Sequence, residues 1–273
     1  GTRLRPVTGG LPKPMAPLLG RPVMAHIVEL LRRNGITEIC ASLGYRPEPI
    51  VEYFGDGSAF GVQLRCHIEQ APLGTAGGVR ACMEGEREPF LVISGDAVCD
   101  FDLAALISRH RQADPAATLA LHPQADPLRY GTVLTDGDGR VLQLLEKPPW
   151  EKVVTDLVNT GIYILSPRAM EQVPPDVPFD FARDLFPRLL AQGETLLGVQ
   201  MDGYWCDIGT PLAYYQCCVD ALRGTLRLQS GWEERPPEQQ TPHKARLSVA
   251  CSDRARTMRR LSEALMDTGA SFD

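Results

Sequence analysis

Apolar and polar positions alternate along the chain with two different periods. Val23, Ile27, Leu30 and Leu31 occur at positions i, i+4, i+7 and i+8, which predicts a helix with one apolar face over "RPVMAHIVELLRRNG". The short apolar run in "PFLVISGD" ends at Asp96 and is typical of a buried parallel strand. Segments of these two kinds follow one another as far as residue 222.

The remaining elements complete an alternating pattern of strands and helices. The other predicted strands are "ITEICASLG", "VQLRCHIEQ", "ATLALHP" and "NTGIYILS", and "GTVLTDGDGRVLQLLEKP" predicts a hairpin with "DGDG" at its turn. Further helices are predicted over "PEPIVEYFGDG", residues 102–113, "FARDLFPRLLAQG" with a kink near Pro187, and residues 211–222. This alternation indicates an α/β domain with three layers, Rossmann-like, around a mixed and mostly parallel sheet.

Composition and charge narrow the function classes. Of the 273 residues, 44% are hydrophobic and 23% are charged, and the formal net charge is −6. This charge argues against nucleic acid as a partner, because binding a phosphate backbone needs a broad basic face. No apolar run approaches the roughly 18 residues of a membrane span, so no membrane partner is expected.

The cysteines indicate a reducing compartment. They form no C-x-x-C pair and no zinc-like spacing with histidine, and most lie in apolar runs. We therefore expect buried, reduced thiols and a cytoplasmic location. The eight positions are Cys40, Cys66, Cys82, Cys99, Cys206, Cys217, Cys218 and Cys251.

The opening stretch "GTRLRPVTGGLPKP" is a candidate anion site. Its Gly and Pro content predicts neither a helix nor the interior of a strand. Backbone N–H groups in a tight glycine turn can form an anion-binding nest, to which Arg3 and Lys13 would add charged donors. The alternative is a surface loop whose cations are solvated.

Charged side chains lie at or just past the carboxyl ends of predicted strands, where ligands gather in α/β sheets. Asp96 and Asp207 can share one Mg²⁺ that also holds phosphate oxygens. Alternatively, each of them is a helix cap or a hydrogen-bonded structural acid. Glu146 and Lys147 end the hairpin just before Pro148, and for these two the alternative is an exposed ion pair.

A glycine-rich segment, "EQAPLGTAGGV", precedes another predicted helix. Gly74, Gly77 and Gly78 would let the backbone approach a flat ligand such as a base. A flexible turn at the helix entry is the alternative.

Together these segments resemble the sugar-1-phosphate nucleotidylyltransferases. The opening "GTRLRPVT…LPKPMAPLLGRPV" is similar to the pyrophosphorylase signature of that family. The other motifs follow in the family's order: "FGDGSAFGVQL", "EQAPLGTAGGV", "LVISGDAVCDFDL", "YGTVLTD", "LLEKPPW", "VNTGIYIL" and "GYWCDIGTP". The resemblance covers roughly residues 1–224, comes nearest to bacterial mannose-1-phosphate guanylyltransferase-like proteins, and implies a sheet of the nucleotide-diphospho-sugar transferase type.

The resemblance implies a role for each motif. Arg3, Lys13, Asp96 and Lys147 would be catalytic: Arg3 and Lys13 would neutralise the triphosphate, and Lys147 would grip the sugar phosphate. Asp96 would hold Mg²⁺ together with Asp207. The remaining implied substrate contacts are to the base (Gln70, Gly74), to the sugar (Gly131, Glu146, Asn159) and to the substrates in general (Gly1, Thr2, Thr75, Thr160).

The implied reaction joins a sugar 1-phosphate to a nucleoside triphosphate and releases pyrophosphate. Mannose 1-phosphate and GTP are the first candidates for the substrates. The attacking phosphate oxygen is already anionic, so no general base is needed, and catalysis depends on positioning and charge neutralisation. The open alternatives are uridylyl, thymidylyl, cytidylyl or adenylyl transfer to glucose 1-phosphate, and a regulatory homologue that binds nucleotide sugar without catalysis. A homo-oligomer is also left open.

The domain boundaries follow from the same pattern. Residues 1–224 form the predicted nucleotidylyltransferase domain, the polar and Pro-rich residues 225–250 a linker-like segment, and residues 251–273 a helical tail. The family signature normally begins with an apolar strand and two further glycines ahead of "GTRL". We therefore expect the first strand to be missing from this sequence, and the chain as written to be unstable or nearly inactive.

Overall fold

A computed structural model of the protein describes residues 4–83 and 85–228. The strands in this range are β1 (Pro17–Leu18), β2 (Arg21–Pro22), β3 (Glu38–Leu43), β4 (Gln63–Ile68), β5 (Phe90–Ile93), β6 (Ala97–Cys99), β7 (Ala117–Pro123), β8 (Gly131–Thr135), β9 (Val141–Glu146), β10 (Leu157–Leu165), β11 (Leu196–Gln200) and β12 (Trp205–Asp207). The α-helices are α1 (Arg5–Thr8), α2 (Val23–Arg33), α3 (Glu48–Phe54), α4 (Gly74–Cys82), α5 (Leu103–Ala113), α6 (Pro167–Met170), α7 (Phe186–Ala191) and α8 (Pro211–Leu222).

Helix α2 forms as predicted because its apolar face is buried. Val23, Ile27 and Leu31 are at most 6% exposed. Arg32 lies in the last turn, where a cation interacts favourably with the helix dipole. Gly35 takes a left-handed φ of +78°, which ends the helical path.

The structure adds two four-residue α-helices that the sequence did not predict, α1 and α6. The opening stretch contains the four-residue helix α1, with a Pro in its first turn, where a missing N–H breaks no helical bond. Gly9, with a left-handed φ of +60°, ends α1. Near Pro187, a π-helical turn over Phe181–Leu185 runs directly into α7, so the predicted helix is interrupted by a change of helix type just ahead of the proline.

The main sheet is built around β10. On one edge β10 pairs antiparallel with β7, and β11 adds to β7 in parallel. On the other edge β5 pairs with Ile162–Leu165, while β8 pairs at Val158 and continues into its hairpin partner β9. A bulge between Asn159 and Tyr163, where Gly161 has a φ of +77°, separates these two partners.

Helices cover both faces of this sheet. Ile162 of β10 packs in one core with Leu103 of α5, whereas the next residue, Tyr163, packs in a second core with Phe186 of α7. Alternate side chains of β10 therefore point into different cores, as the pleat of a strand requires. The predicted three-layer α/β class with a mixed sheet is confirmed.

Parallel pairing is less frequent among the described strands than expected. The β3–β4 and β7–β11 pairs are parallel, whereas the other pairs of named strands are antiparallel. The strand in "PFLVISGD", which is β5, was predicted to be buried and parallel. It pairs antiparallel with β10, and its side chains are only half-buried. That prediction is wrong for the described residues, because within them β5 has no strand on its second edge.

The two open strand edges border a large groove. β3 and β4 form a separate two-stranded sheet, so within the described range β3 also lacks a strand on its second edge. Both β3 and β5 line a groove of about 1360 Å³, together with apolar side chains of α2 such as Ile27 and Leu31. A strand edge without a neighbour presents N–H and C=O groups with which an added strand can pair.

Several predictions fall outside the described residues. These concern residues 1–3, all but the first four residues of the linker-like segment 225–250, and the whole tail 251–273. The domain boundaries therefore stay predictions. No helix in the described part of the chain has both the length and the apolar character needed to cross a bilayer.

The cysteines within the described range carry free thiols. Cys99, Cys217 and Cys218 are buried as predicted, whereas Cys40, Cys66, Cys82 and Cys206 are only half-buried. Cys251 lies outside the described residues.

We predict that an apolar strand placed ahead of Gly1 stabilises the fold. It would cover apolar side chains in the groove and pair with β3 and β5. For a domain of this size, each kcal/mol raises the melting temperature by about 2–4 °C, so a gain of about 2.5 kcal/mol corresponds to an increase of about 5–10 °C. Calorimetry measures this, with a Gly/Ser extension of equal length as the control; equal melting temperatures for the two extended proteins would contradict the prediction.

Candidate active site

Lys13 and Asp96 form an ion pair where the opening stretch meets the end of β5. The Lys13 Nζ atom lies 2.7 Å from Oδ2 of Asp96. Lys13 begins a 3-10 turn with Pro14, which packs over Gly95: a Cβ at Gly95 would lie 3.1 Å from Cγ of Pro14. The glycine therefore allows the close approach that brings the lysine to the carboxylate.

This ion pair keeps Asp96 charged. Burial disfavours the carboxylate, but the positive charge of Lys13 and the hydrogen bonds from Lys13 and Ser94 outweigh it and hold the pKa of Asp96 below its ordinary value. The Ser94 hydroxyl donates to Oδ1 of Asp96 at 2.6 Å. Asp96 is thus an anion at neutral pH, as a metal ligand has to be.

Strand pairing brings Asp207 next to Asp96. β12 pairs antiparallel with β6, so that Asp207 lies opposite Ala97, and the N–H of Ile208 donates to the carbonyl of Asp96 at 3.3 Å. The Asp207 carboxylate lies against Gly209, where a Cβ would be only 3.0 Å from Oδ2. Two carboxylate residues on paired strands fit Mg²⁺, which is usually bound by one or two carboxylates together with phosphate oxygens.

Neither of these acids caps a helix. The N-caps of α5 and α8 are Asp102 and Thr210, whose side chains accept hydrogen bonds from backbone N–H groups three residues on. The helix-cap alternative is therefore excluded for Asp96 and Asp207. No group of three or more His, Cys, Asp and Glu suited to a metal occurs in residues 4–83 and 85–228, so a metal here would need further ligands from substrate or water.

The predicted sugar contacts are brought together along the same groove. Gly131, Glu146 and Asn159 all line it, and Gly131 is the register partner of Glu146 in the hairpin. A Cβ at position 131 would lie 2.8 Å from Oε2 of Glu146 and 3.7 Å from Cβ of Asn159. Glycine at this position therefore leaves room for the carboxylate.

Lys147 follows β9 in an unusual backbone conformation. Its φ is +46°, which is uncommon for a residue other than glycine, and its N–H donates to the carbonyl of Tyr130 at 3.1 Å. Its ammonium lies 3.7 Å from Oε1 of Glu146, and the Lys147 side chain is 57% exposed. Such an exposed pair contributes little to stability, so the ammonium can exchange this partner for a phosphate at low cost. Backbone strain of this kind clusters at functional sites.

The predicted base-contacting residue Gln70 has a neighbour that lines the groove. Gln70 is exposed and does not line the groove, whereas its neighbour Glu69 does. The Glu69 carboxylate accepts a hydrogen bond from the Ser42 hydroxyl at 2.7 Å and another from the N–H of Leu73 at 3.3 Å. Hydrogen bonds thus fix the Glu69 carboxylate at the groove lining, and the base contact predicted for Gln70 stays a prediction. Glu69 lies at the carboxyl end of the predicted strand "VQLRCHIEQ", and this position is the signal that could have identified it as a groove residue.

Gly74, Gly77 and Gly78, in the first turns of α4, pack closely against other parts of the protein. A Cβ at Gly74 would lie 2.6 Å from the carbonyl oxygen of Phe179, and one at Gly77 would lie 3.0 Å from that of Val177. A Cβ at Gly78 would lie 2.5 Å from a carboxylate oxygen of Glu69. These close contacts replace the flexible-turn alternative and account for the glycines without a ligand.

Two predicted substrate contacts have hydroxyl groups that are already engaged. Thr160 lines the groove but its side chain is buried, and its hydroxyl donates to the carbonyl of Ala120 at 2.7 Å, so the substrate contact predicted for Thr160 stays a prediction. The Thr75 hydroxyl donates to the carboxylate of Asp180 at 2.8 Å. Gly1, Thr2 and Arg3 lie outside the described residues, and their predicted roles stay predictions.

A family comparison agrees with this arrangement. The family model described as "Nucleotidyl transferase" matches residues 1–223, which is most of the chain. The chain belongs to the nucleotidyl transferase family. Membership confirms the resemblance to sugar-1-phosphate nucleotidylyltransferases that the motifs indicated.

Individual members of the family are similar to this chain over most of its length. A UTP–glucose-1-phosphate uridylyltransferase of Synechocystis sp. is 38% identical over 240 residues, covering 83% of this chain and 61% of the relative. A mannose-1-phosphate guanylyltransferase of Mycobacterium tuberculosis is 37% identical over 227 residues, covering 82% of this chain and 62% of the relative. The chain thus spans just over three fifths of the length of these two relatives.

Solved structures of the family share the fold. HddC from Yersinia pseudotuberculosis is 31% identical, with a TM-score of 0.69 over 80% of this chain and 93% of its own. A structure of HddC complexed with GMP-PN has a TM-score of 0.66 over 76% of this chain and 89% of its own. A putative glucose-1-phosphate thymidylyltransferase from Bacillus anthracis has a TM-score of 0.73 at 23% identity, over 81% of this chain and 90% of its own, which shows the fold alone.

We predict that Asp207→Asn weakens metal binding. Asparagine keeps an oxygen ligand but removes the charge, so the affinity for Mn²⁺, measured by electron paramagnetic resonance in the presence of a nucleoside triphosphate, should fall about tenfold or more. Asp138→Asn, at an exposed acid in the β8–β9 turn, is the matched control. Unchanged Mn²⁺ affinity in Asp207→Asn would assign Asp207 to a structural role.

Proposed function

We propose that this chain transfers a guanylyl group from GTP to mannose 1-phosphate, giving GDP-mannose and pyrophosphate. The observation that carries the proposal is the arrangement of the groove: Lys13 pairs with Asp96, which lines the groove with Asp207, and Glu146 and Lys147 line it beside Asn159. One region thus offers a lysine for phosphate, acids for a metal and polar groups for a sugar. The guanylyltransferase name of the Mycobacterium tuberculosis relative supports the choice of substrates.

The charged residues of the groove fit a reaction that requires neutralisation of phosphate charge rather than proton transfer. A phosphate oxygen of mannose 1-phosphate attacks the α-phosphorus of GTP, and the bond to the pyrophosphate leaving group breaks in line. Lys147 would hold the attacking phosphate, and Lys13 the triphosphate. Asp96 and Asp207 would hold Mg²⁺, which supplies positive charge to the phosphate oxygens when bound.

The Lys13–Asp96 pair is compatible with triphosphate binding. An ammonium has three N–H donors, so Lys13 can keep one hydrogen bond to Asp96 while it donates to phosphate. The charge that Lys13 gives to Asp96 can likewise be supplied by a metal. The ion pair therefore keeps both groups ionised and close together before the substrates arrive.

Glu69 supports guanine as the base. An ionised carboxylate only accepts hydrogen bonds, and two of its acceptor positions are occupied by Ser42 and Leu73. Guanine presents two neighbouring donors, N1–H and the N2 amino group, on its Watson–Crick edge. Uracil presents only one donor there, between two acceptors that a carboxylate repels.

A second candidate is uridylyl transfer to glucose 1-phosphate. The name of the Synechocystis relative, at 38% identity, is the observation that favours it. A regulatory homologue without activity is less compatible with the residues, because Asp96, Lys147 and Asp207 are all present. The Mg²⁺ cofactor, a cytoplasmic location and a homo-oligomer remain predictions.

We predict pyrophosphate release in a substrate panel. GTP, UTP, dTTP, CTP and ATP are each combined with mannose 1-phosphate or glucose 1-phosphate, using the chain with and without the added upstream strand. We expect the highest kcat/KM for GTP with mannose 1-phosphate. Preference for another pair identifies a different transferase, and no turnover with any pair by either protein would overturn the proposal in favour of a regulatory homologue.

We predict that Glu69→Gln shifts base preference away from GTP. The glutamine side chain keeps one acceptor but adds an amino donor that meets the N–H groups of guanine unfavourably. A lost pair of charged hydrogen bonds corresponds to about tenfold or more in kcat/KM for GTP, and the ratio of UTP to GTP turnover should rise. Gln70→Glu is the control, because Gln70 lies outside the groove lining; a shift in Gln70→Glu instead would restore the original assignment.

A further inference from the structure

The start of helix α4 is fastened to a segment more than 100 residues further along the chain. The Thr75 hydroxyl donates to Oδ2 of Asp180 at 2.8 Å and accepts a hydrogen bond from the N–H of Phe181 at 3.0 Å. Its one proton and one of its lone pairs are therefore used within the protein. These contacts connect the segment that carries Glu69 and Gly74, here called the base loop, to Asp180 and Phe181, which also line the groove.

Backbone contacts strengthen the same connection. The N–H groups of Ala76 and Gly77 donate to the carbonyl of Phe179 at 2.9 and 3.1 Å, and the N–H of Phe179 donates to the carbonyl of Leu73 at 2.8 Å. The first N–H groups of a helix have no partner inside it. In α4 a carbonyl from a distant segment supplies that partner, so the position of this loop depends on the segment at 179–181.

Asp180 is itself held in one orientation. Its Oδ1 accepts from the N–H groups of Ala182 and Arg183 at 3.0 and 3.1 Å, which makes it the N-cap of the turn at Phe181–Leu185. Its own N–H donates to Oδ2 of Asp184 at 2.7 Å. Within the described residues Asp180 forms no ion pair, and both of its carboxylate oxygens are directed by hydrogen bonds.

Asp180 also lies close to the proposed sugar site. Tyr163 is buried, which raises the pKa of its phenol; the negative charges of Asp180 and Glu146 raise it further, while a hydrogen bond with Asn159 lowers it. One phenol thus interacts with Asp180 and with two groups assigned to sugar binding. Asp180, Glu146 and Asn159 all line the groove.

We propose that Asp180 is a positioning residue for nucleotide binding: through Thr75 it holds the base loop against the wall that carries the sugar site. This inference rests on the proposed function and deepens it. Asp180 acts through the Thr75 hydroxyl and the helix start of α4, so the two substrate sites keep a fixed separation. A direct contact between the Thr75 hydroxyl and the nucleotide is not required.

The experiment removes the hydrogen bond between Thr75 and Asp180 by substituting each partner in turn. Thr75→Val removes the hydroxyl at nearly constant shape. Asp180→Asn keeps the N-cap, because asparagine caps helices well, but it replaces the acceptor that faces Thr75 with a competing donor. The Thr75→Ser variant keeps the hydroxyl, and Thr195→Val, at an exposed position outside the groove, is the matched control.

We predict that Thr75→Val and Asp180→Asn each raise the Kd for GTP, measured calorimetrically without sugar phosphate, about tenfold. The KM for mannose 1-phosphate should change less than twofold, and Thr75→Ser and Thr195→Val should stay close to wild type. Because the two side chains act as one unit, the double variant should bind GTP no more weakly than the weaker single variant. Hydrogen exchange at Ala76 and Gly77 should be faster in both single variants.

Three outcomes would overturn the inference. Additive losses in the double variant would mean that Thr75 contacts the nucleotide independently of Asp180. Wild-type GTP affinity in both single variants would remove any positioning role. Equal changes in GTP binding and in the KM for mannose 1-phosphate would indicate general destabilisation. If the wild-type protein itself turned over no substrate pair, the proposed function would fail first, which distinguishes the two failures.

Discussion

Strand β10 divides one of its edges between two partners, and the rest of the groove depends on this division. β5 pairs with its carboxyl-terminal half and leads directly to Asp96. β8 pairs near its amino-terminal end and brings the hairpin that carries Glu146. The bulge between them contains Asn159 and turns at Gly161, whose φ of +77° is readily accessible to glycine alone. A regular strand without this bulge would not separate the two partners in the same way.

Charges along the groove are paired before any substrate binds. Lys13 with Asp96 and Lys147 with Glu146 each place a cation beside a carboxylate. Removing one partner of the partly buried Lys13–Asp96 pair would leave an uncompensated charge, which is costly, whereas exchanging partners is not. A metal–triphosphate complex carries both positive and negative charge. In the proposed reaction the carboxylates can therefore bind the metal while the lysines bind phosphate oxygens. This arrangement avoids an unpaired charge at either stage.

The glycines at the start of α4 allow close packing next to the residues that are proposed to bind the base. Gly74, Gly77 and Gly78 are close to Phe179, Val177 and Glu69. They therefore bring the loop against the protein, and the hydrogen bond from Thr75 to Asp180 then fixes it there. A loop held in this manner pre-organises a binding surface, which reduces the ordering cost when a ligand binds.

Local periodicity and motif chemistry determined much of this protein from sequence. Helix α2, the β8–β9 hairpin, the interrupted helix near Pro187 and the family itself depend on residues close together in the chain, so neighbouring positions carry the signal. The convergence of Asp96 and Asp207 was also predicted, because both lie at or just past strand ends.

Only the tertiary structure decided which groups on these elements are available. The antiparallel pairing of β5, the position of Glu69 rather than Gln70 in the groove lining, and the burial of the Thr160 hydroxyl were not predicted. The Thr160 hydroxyl bonds to a residue 40 positions away, and Thr75 to one 105 positions away. A sequence pattern reports the type of side chain at each position, whereas its hydrogen-bond partner is set by packing between distant segments.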